Sequence, residues 1–132
     1  MASLPIVLDT SMLIDFFRKR NKSKSALFQL MDHYEFYISV VTAFEIQIGI
    51  KSDRQQQEYQ GFMENIGVLP IDERGIENAV KIYNHLKNQN AQIGLADLLI
   101  GATAVRYDLS LATLNRKHFE RIPELELVSL HI

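Results

Sequence analysis

Three acidic residues each interrupt an otherwise apolar stretch of the sequence. Asp9 ends "PIVLD", Glu45 lies within "VVTAFEIQIGI" and Asp97 lies within "GLADLLIGATA". In such surroundings an ionised carboxylate loses water that it cannot easily replace. Three acids brought together would repel one another and raise their pKa values unless a cation joined them. Because Mg²⁺ and Mn²⁺ favour oxygen ligands, the pattern predicts that the three acids hold one of these ions.

Each acid taken alone also has a purely structural interpretation. Asp9 can bond backbone amides at a strand-to-helix turn and cap the following helix. Glu45 can be the second half of a capping box that begins at Thr42. Asp97 can interact with a helix dipole, although its apolar neighbours favour burial. The metal-site hypothesis therefore depends on the three acids together.

The segment "LATLNRKHF" adds two polar residues to this group. Thr113 and Asn115 follow a predicted strand, where a hydroxyl and an amide can orient a water molecule or a phosphate oxygen. The alternative interpretation is an ordinary polar turn.

Short apolar strands alternate with amphipathic helical patterns along the chain. The predicted strands cover residues 4–8, 36–41, 67–71, 109–113 and 125–130. This order predicts βαβ units and a three-layer α/β/α fold, with a mainly parallel sheet of about five strands and helices on both faces. Ligands of such folds collect beyond the carboxyl ends of the strands, where Asp9 and Thr113 are placed. The capping-box signature predicts a helix that starts at Thr42 and ends at about Ile50.

Length and composition limit the classes of protein to which the chain can belong. Its 132 residues suit a single domain, 47% of them are hydrophobic and 23% are charged, which is typical of a globular fold. The absence of cysteine excludes disulfides and thiolate metal sites. No apolar run reaches the ~20 residues of a membrane span, and no secretory signal is present, so we expect a cytoplasmic protein without membrane contact. The net charge of −2 gives no global support for nucleic-acid binding.

Four segments together resemble the motifs of PIN domains, particularly those of VapC-type toxins of bacterial toxin–antitoxin pairs. In family order they are "IVLDTSMLIDFF", "ISVVTAFEIQIGI", "GLADLLIGATA" and "LATLNRKHF". The resemblance implies a metal-dependent endoribonuclease that hydrolyses phosphodiester bonds in structured RNA such as tRNA or rRNA. It also implies a homodimer that is silenced by a cognate antitoxin, and one PIN-like domain over residues 1–132.

The resemblance also assigns roles to individual positions. The residues that match the acids holding Mg²⁺ or Mn²⁺ are Asp9, Glu45 and Asp97, and those that match the polar residues of the site are Ser11, Thr113 and Asn115. The family often has a fourth acid where this chain has His118. That histidine can face solvent, contact a substrate phosphate, or act as a nitrogen ligand that suits Mn²⁺ better than Mg²⁺.

One dense basic cluster follows the first acid. Its members are Arg18, Lys19, Arg20, Lys22 and Lys24. We expect them to contact RNA phosphates, with binding that weakens as salt rises, whereas the alternative is a solvated surface loop.

Apolar residues on the early helices exceed what one core is expected to need. They are Phe16, Phe17, Leu27 and Phe28. We expect some of them to face a second subunit or an antitoxin helix.

Three other functions compete with the nuclease. A phosphatase with Asp9 as covalent nucleophile is disfavoured, because such enzymes have a second acid at the position of Ser11. A receiver-like signalling domain is disfavoured because its acids cluster differently. A PIN-like module that binds RNA or an antitoxin without cutting remains the alternative, since His118 replaces an acid.

Overall fold

Four parallel strands form a single sheet in the order β3-β2-β1-β4 within residues 3–131, the part of the chain that this computed structural model describes. The strands are β1 (Leu4–Leu8), β2 (Tyr34–Ser39), β3 (Gly67–Leu69) and β4 (Ser110–Ala112). The helices are α1 (Thr10–Arg18), α2 (Val40–Ile48), α3 (Asp53–Met63), α4 (Glu73–Asn88), α5 (Leu95–Arg106) and α6 (Arg116–Phe119). Two short 3₁₀ turns, Lys22–Lys24 and Leu27–Leu30, connect α1 to β2.

Apolar side chains cover both faces of the sheet. Successive residues of a strand point to opposite faces, so Ile6 and Leu8 pack with α1, α2 and α3, whereas Val7 packs with α4 and α5. A strand buried on both faces must be continuously apolar, which is why "IVL" contains no polar residue. The predicted three-layer fold with a parallel sheet is confirmed.

The predicted fifth strand is reduced to one bridge. Residues 125–130 pair with β4 only between Leu111 and Leu127. The Leu111 amide donates to Glu126 O (2.9 Å), and the Val128 amide donates to Leu111 O (2.8 Å). Because β4 is itself only three residues long, it offers little backbone for a longer ladder. The count of about five strands was therefore slightly high.

Helix α2 begins earlier than the sequence predicted. Ser39 is its N-cap and accepts a hydrogen bond from the Val41 amide (3.0 Å), so the predicted capping box of Thr42 and Glu45 was wrong. Thr42 lies inside the helix, fully buried, with its hydroxyl 2.9 Å from that of Thr10. The Ser39 cap and the packing of α2 outweigh the strand preference of the β-branched pair Val40–Val41.

An ion pair fixes α5 against α4. Arg106 near the end of α5 donates to both carboxylate oxygens of Asp72, at 2.7 to 3.0 Å, and Asp72 caps α4 by accepting from the Gly75 amide. The hydrogen bonds from Arg106 lower the pKa of Asp72 to about 2. Because α5 runs back along the sheet toward β4, its first turn lies at the carboxyl edge of the strands. Each helix within residues 3–131 is too short or too polar to span a lipid bilayer.

Candidate active site

Side chains from four parts of the chain meet at the carboxyl edge of the sheet. Asp9 directly follows β1 and occupies the N-cap position of α1, and Thr113 directly follows β4. The Asp9 amide donates to Ala112 O (2.9 Å), which ties the ends of these two strands together. Asp97 lies in the first turn of α5 and Glu45 lies on α2. The strand order therefore places Asp9 and Thr113 at one edge of the sheet.

Asp9 is the buried centre of this arrangement. It is only 3% exposed, and its Oδ2 accepts hydrogen bonds from Thr113 Oγ1 (2.6 Å) and Ser11 Oγ (2.7 Å). Burial raises the pKa of the Asp9 carboxyl, and the nearby charge of Asp97 raises it further, against the lowering effect of the two hydroxyls. Its side chain makes no helix-capping hydrogen bond, so the capping interpretation does not account for this carboxylate.

Asp97 is less buried than its apolar neighbours suggested. Its side chain is 23% exposed, because α5 enters the core only from Leu98 onward and Leu95 is 70% exposed. Its Oδ2 lies 2.8 Å from His118 Nδ1 and 3.3 Å from Asn115 Nδ2. The Asn115 amide nitrogen of the backbone donates to Thr113 Oγ1 (2.9 Å). Thr113 and Asn115 thus connect Asp97 to Asp9 through hydrogen bonds.

Glu45 reaches the site through a residue that the sequence analysis missed. Thr10 Oγ1 donates to Glu45 Oε1 (2.8 Å), and Thr10 is the chain neighbour of Asp9. The signal was present in "DTS", where a second hydroxyl stands between the acid and Ser11. Thr10 therefore holds the third acid beside the Asp9 backbone.

The three acids do not stand together as closely as the prediction that all three hold one ion requires. Within residues 3–131, no three His, Asp or Glu side chains stand close enough together to enclose an ion as they lie. Asp9 and Asp97 form a repelling pair, whereas Glu45 is bonded to Thr10. Mg²⁺ is commonly held by one or two carboxylates and keeps several waters, and a cation relieves the repulsion that raises the pKa of Asp9. The oxygen donors present therefore fit a hydrated Mg²⁺ or Mn²⁺ at the Asp9–Asp97 pair.

The basic cluster divides into two parts. Arg18, Lys19, Arg20 and Lys22 line an open cavity of about 680 Å³ that Glu45 also lines. Arg54 of α3 lines the same cavity, and the sequence analysis missed it because it lies far along the chain from the cluster. Lys24 is exposed on the first 3₁₀ turn, outside the residues that line this cavity.

Lys22 also has a structural role at the end of α1. Its Nζ donates to Phe16 O (2.7 Å), Phe17 O (3.0 Å) and Glu58 Oε1 (3.2 Å). It also lies 5.0 Å from the Phe16 ring centroid, which is the geometry of a cation–π contact. A cation that satisfies the last carbonyls of α1 stabilises the end of that helix.

The apolar surface expected on the early helices is mostly core. Phe16 and Phe17 pack against Phe62, and Leu27 is fully buried, whereas Phe28 is 47% exposed. Six further exposed apolar side chains lie on α2 and α4. They are Val40, Phe44, Ile48, Ile76, Val80 and Tyr83.

A parallel sheet with helices on both faces, and carboxylates beyond the ends of its strands, defines an α/β domain with an acidic site. A profile of the PIN domain family matches residues 6–125, and the chain belongs to this family.

Individual relatives agree with this assignment. Ribonuclease VapC1 of Methanocaldococcus jannaschii is 39% identical over 122 residues, which cover 92% of this chain and 84% of that protein. The crystal structure of DNA-bound VapBC from Salmonella typhimurium contains a similar chain, with a TM-score of 0.81, 26% identity and coverage of 95% of this chain and 97% of that one. A toxin–antitoxin complex from Klebsiella pneumoniae contains another, with a TM-score of 0.72, 29% identity and coverage of 91% and 94%.

Proposed function

We propose that this protein is a metal-dependent endoribonuclease, the toxin of a toxin–antitoxin pair, which hydrolyses phosphodiester bonds in structured RNA such as tRNA or rRNA. The observation that carries the proposal is the buried Asp9 carboxylate, bonded to Ser11 and Thr113 and repelled by Asp97. The name of the Methanocaldococcus jannaschii relative, a ribonuclease, supports RNA as the substrate. In this proposal, residues 1–132 form a single PIN-like domain that acts in the cytoplasm.

Asp9 and Asp97 would hold Mg²⁺ or Mn²⁺, with Glu45 contributing directly or through water. When bound, the ion lowers the pKa of a coordinated water and stabilises charge on the phosphoryl oxygens. Ser11 and Thr113 both donate to Asp9 Oδ2, so they fix the rotation of that carboxylate.

Thr113 and Asn115 have different roles within the polar pair. Thr113 is fully buried, its hydroxyl proton goes to Asp9, and its oxygen accepts from the Asn115 backbone amide. Thr113 is therefore a positioning residue and does not itself orient water or phosphate. Asn115 is half-buried, and its amide reaches Asp97. Asn115 is thus the member of the pair that can contact the scissile phosphate or the attacking water.

The cations that line the cavity beside Glu45 supply the substrate contacts. Arg18, Lys19, Arg20 and Arg54 border this cavity on a chain whose net charge is −2. Phosphate contacts supply most of the sequence-independent affinity for RNA, and a local patch is sufficient for them. RNA would therefore approach along this cavity toward the acids.

Replacing Arg18, Lys19 and Arg20 together by Ala is expected to weaken RNA binding and to flatten its salt dependence. The association constant K falls as salt rises, so the slope of log K against log[salt] is negative. Each lost phosphate contact reduces the magnitude of this slope by about 0.7 to 0.9. Fluorescence anisotropy of labelled RNA at several salt concentrations measures this slope. An unchanged slope in the triple variant would remove these residues from the RNA interface.

Lys22→Met is the matched control for that variant. It removes one positive charge that borders the same cavity, but the Lys22 ammonium is already bonded to the carbonyls at the end of α1 and to Glu58. We expect the salt slope to remain that of the wild type, and the free energy of unfolding to fall by roughly 1–2 kcal/mol through the lost charge-assisted hydrogen bonds.

Two protein partners belong to the proposal. The Klebsiella pneumoniae structure is a toxin–antitoxin complex, which supports a cognate antitoxin for this chain as well. Exposed apolar side chains on α2 and α4, such as Phe44 (63%) and Val80 (53%), provide surface for an antitoxin and for a second copy of the chain.

Incubation of the purified protein with total cellular RNA and Mn²⁺, followed by mapping of new RNA ends, tests the nuclease. We expect specific new ends that disappear when a chelator is added and when Asp97→Asn replaces the wild type, with an unchanged circular dichroism spectrum. RNA or antitoxin binding without new ends would support the non-cleaving module instead.

A further inference from the structure

Two buried hydroxyl groups connect α1 to α2 beside the candidate site. Thr10 is the first residue of α1, and Thr42 is the third residue of α2. Their hydroxyl oxygens lie 2.9 Å apart, and both residues are buried. The two helices follow the adjacent parallel strands β1 and β2, so both helices start at the carboxyl edge of the sheet. The pair of hydroxyls therefore lies next to Asp9, the chain neighbour of Thr10.

The hydrogen bonds of this pair have a defined direction. Thr10 donates its hydroxyl hydrogen to Glu45 Oε1 (2.8 Å). A hydroxyl group has one hydrogen, so Thr10 accepts in its contact with Thr42, and Thr42 is the donor there. Because Thr42 already supplies the hydrogen between the two oxygens, the hydrogen of Thr10 is left for the carboxylate. Thr42 therefore directs the Thr10 hydroxyl toward Glu45.

A second buried threonine uses its hydroxyl differently. Thr103 on α5 is 2% exposed, and its hydroxyl donates to Leu99 O (2.7 Å), one turn earlier in the same helix. Threonines within helices commonly bond such a carbonyl. Thr42 instead bonds across to another helix, at the residue that follows Asp9. The Thr42 hydroxyl thus contributes to the site, whereas that of Thr103 contributes to its own helix.

The Glu45 carboxylate needs a restraint because positive charges lie near it. Glu45 lines the open cavity whose other lining residues include five cations, namely Arg18, Lys19, Arg20, Lys22 and Arg54. A glutamate side chain has several rotatable bonds, so an unrestrained carboxylate has these cations as alternative partners. The hydrogen bond from Thr10 holds the carboxylate on the side of Asp9 instead.

We propose that Thr42 is a positioning residue for Glu45, because it directs the Thr10 hydroxyl that holds this carboxylate beside Asp9. This inference rests on the proposed function, in which Glu45 helps to hold the divalent ion. Thr42 is fully buried, so it acts through Thr10. Removal of a partner that orients a metal ligand typically changes metal affinity by about 10- to 100-fold. Since Thr42 acts indirectly, we expect the lower end of this range for its loss.

The side-chain rotamers of Glu45 in the metal-free protein test the positioning role. Three-bond scalar couplings measured by NMR distinguish one fixed rotamer from several that interconvert. We expect one rotamer of Glu45 in the wild type and averaged couplings in Thr42→Val, which keeps the shape of the side chain but removes the hydroxyl. Thr42→Ala, which places no methyl group against Thr10, should average the couplings in the same way.

Two further variants separate positioning from packing. Thr42→Ser keeps the hydroxyl and should restore the couplings of the wild type. Thr103→Val is the matched control, because it also removes a buried hydroxyl, but one that bonds within α5. It should leave the Glu45 couplings unchanged.

Calorimetric titration of the metal-free protein with Mn²⁺ measures the consequence for the site. We expect about 10-fold weaker binding for Thr42→Val and about 10- to 100-fold weaker binding for Thr10→Val. The double variant should bind like Thr10→Val, because the effect of Thr42 passes through Thr10. Thr42→Ser and Thr103→Val should bind Mn²⁺ like the wild type.

Wild-type Glu45 couplings in Thr42→Val, or equal averaging in Thr103→Val, would overturn the positioning role. Mn²⁺ affinity that falls in Glu45→Ala but not in Thr42→Val would overturn it as well. Failure of the proposed function would appear differently. The Glu45 couplings would then change as expected, but the wild type would bind no Mn²⁺, would bind it as well as Glu45→Ala does, or would cut no RNA.

Discussion

Asp9→Asn is expected to lower the rate of RNA cleavage by about three orders of magnitude, which corresponds to about 4 kcal/mol of activation free energy. The substitution keeps the shape of the side chain and an oxygen that can accept from Ser11 and Thr113, but it removes the charge that would hold the cation. Electrostatic stabilisation of the transition state commonly accounts for losses of this size. Single-turnover cleavage of a mapped RNA substrate measures the effect.

The same variant is expected to be as stable as the wild type or more stable when no metal is present. Burial raises the folded-state pKa of Asp9 above its ordinary value of 3.8. Between these two values the folded state binds more protons than the unfolded state, so wild-type stability falls as pH rises through this window. Asn does not ionise, so the free energy of unfolding of Asp9→Asn, measured with urea, should not decrease with pH in this window.

Asp15→Asn is the control for both measurements. Asp15 also lies on α1, but its Oδ2 accepts from the Ala26 amide (2.8 Å) and its Oδ1 pairs with Lys19, away from Asp9. We expect Asp15→Asn to retain cleavage. Wild-type cleavage by Asp9→Asn would remove Asp9 from the reaction, and a metal-free Asp9→Asn that is clearly less stable than the wild type would contradict the effect attributed to burial.

The sequence predicted those features of the fold that depend on local pattern. The continuous apolar run of β1 followed by Asp9, and the polar residues after β4, identify strand ends without knowledge of contacts. Strand pairing lies beyond such patterns, because the three residues of β4 cannot support a long ladder to residues 125–130. The start of α2 was also missed, since burial of Thr42 against Thr10 is a tertiary effect.

In the candidate site, too, the sequence indicates which residues take part but not which side chains contact one another. The three acids were predicted from their apolar surroundings, but the side chains that they contact depend on how separate elements dock. The contact of His118 with Asp97 joins α6 to α5, and no spacing rule distinguishes it from a solvent-facing histidine. In the sequence, Lys22 likewise cannot be distinguished from the other cations of the basic cluster. In the structure, it donates hydrogen bonds to carbonyl oxygens at the end of α1.

Phe119→Ala is expected to lower the free energy of unfolding by about 3–5 kcal/mol, the usual cost of deleting a fully buried aromatic side chain. Phe119 is 0% exposed and packs in the core beneath α5, together with Ile122. Because the total free energy of unfolding of a protein is only about 5–15 kcal/mol, this loss removes a large share of the stability. Urea denaturation measures it, with Phe28→Ala as the control, since Phe28 is 47% exposed and should cost much less.

The milder variant Phe119→Leu connects this packing to the site. Leu leaves a smaller cavity than Ala does, so the protein should stay folded. The packing of α6 against α5 would nevertheless become looser. Because this packing places Asn115 and His118 beside Asp97, RNA cleavage should fall in Phe119→Leu although no residue of the site has changed. A folded Phe119→Leu that cleaves RNA like the wild type would show that the packing of Phe119 does not place these residues. An Ala variant no less stable than Phe28→Ala would contradict the placement of Phe119 in the core.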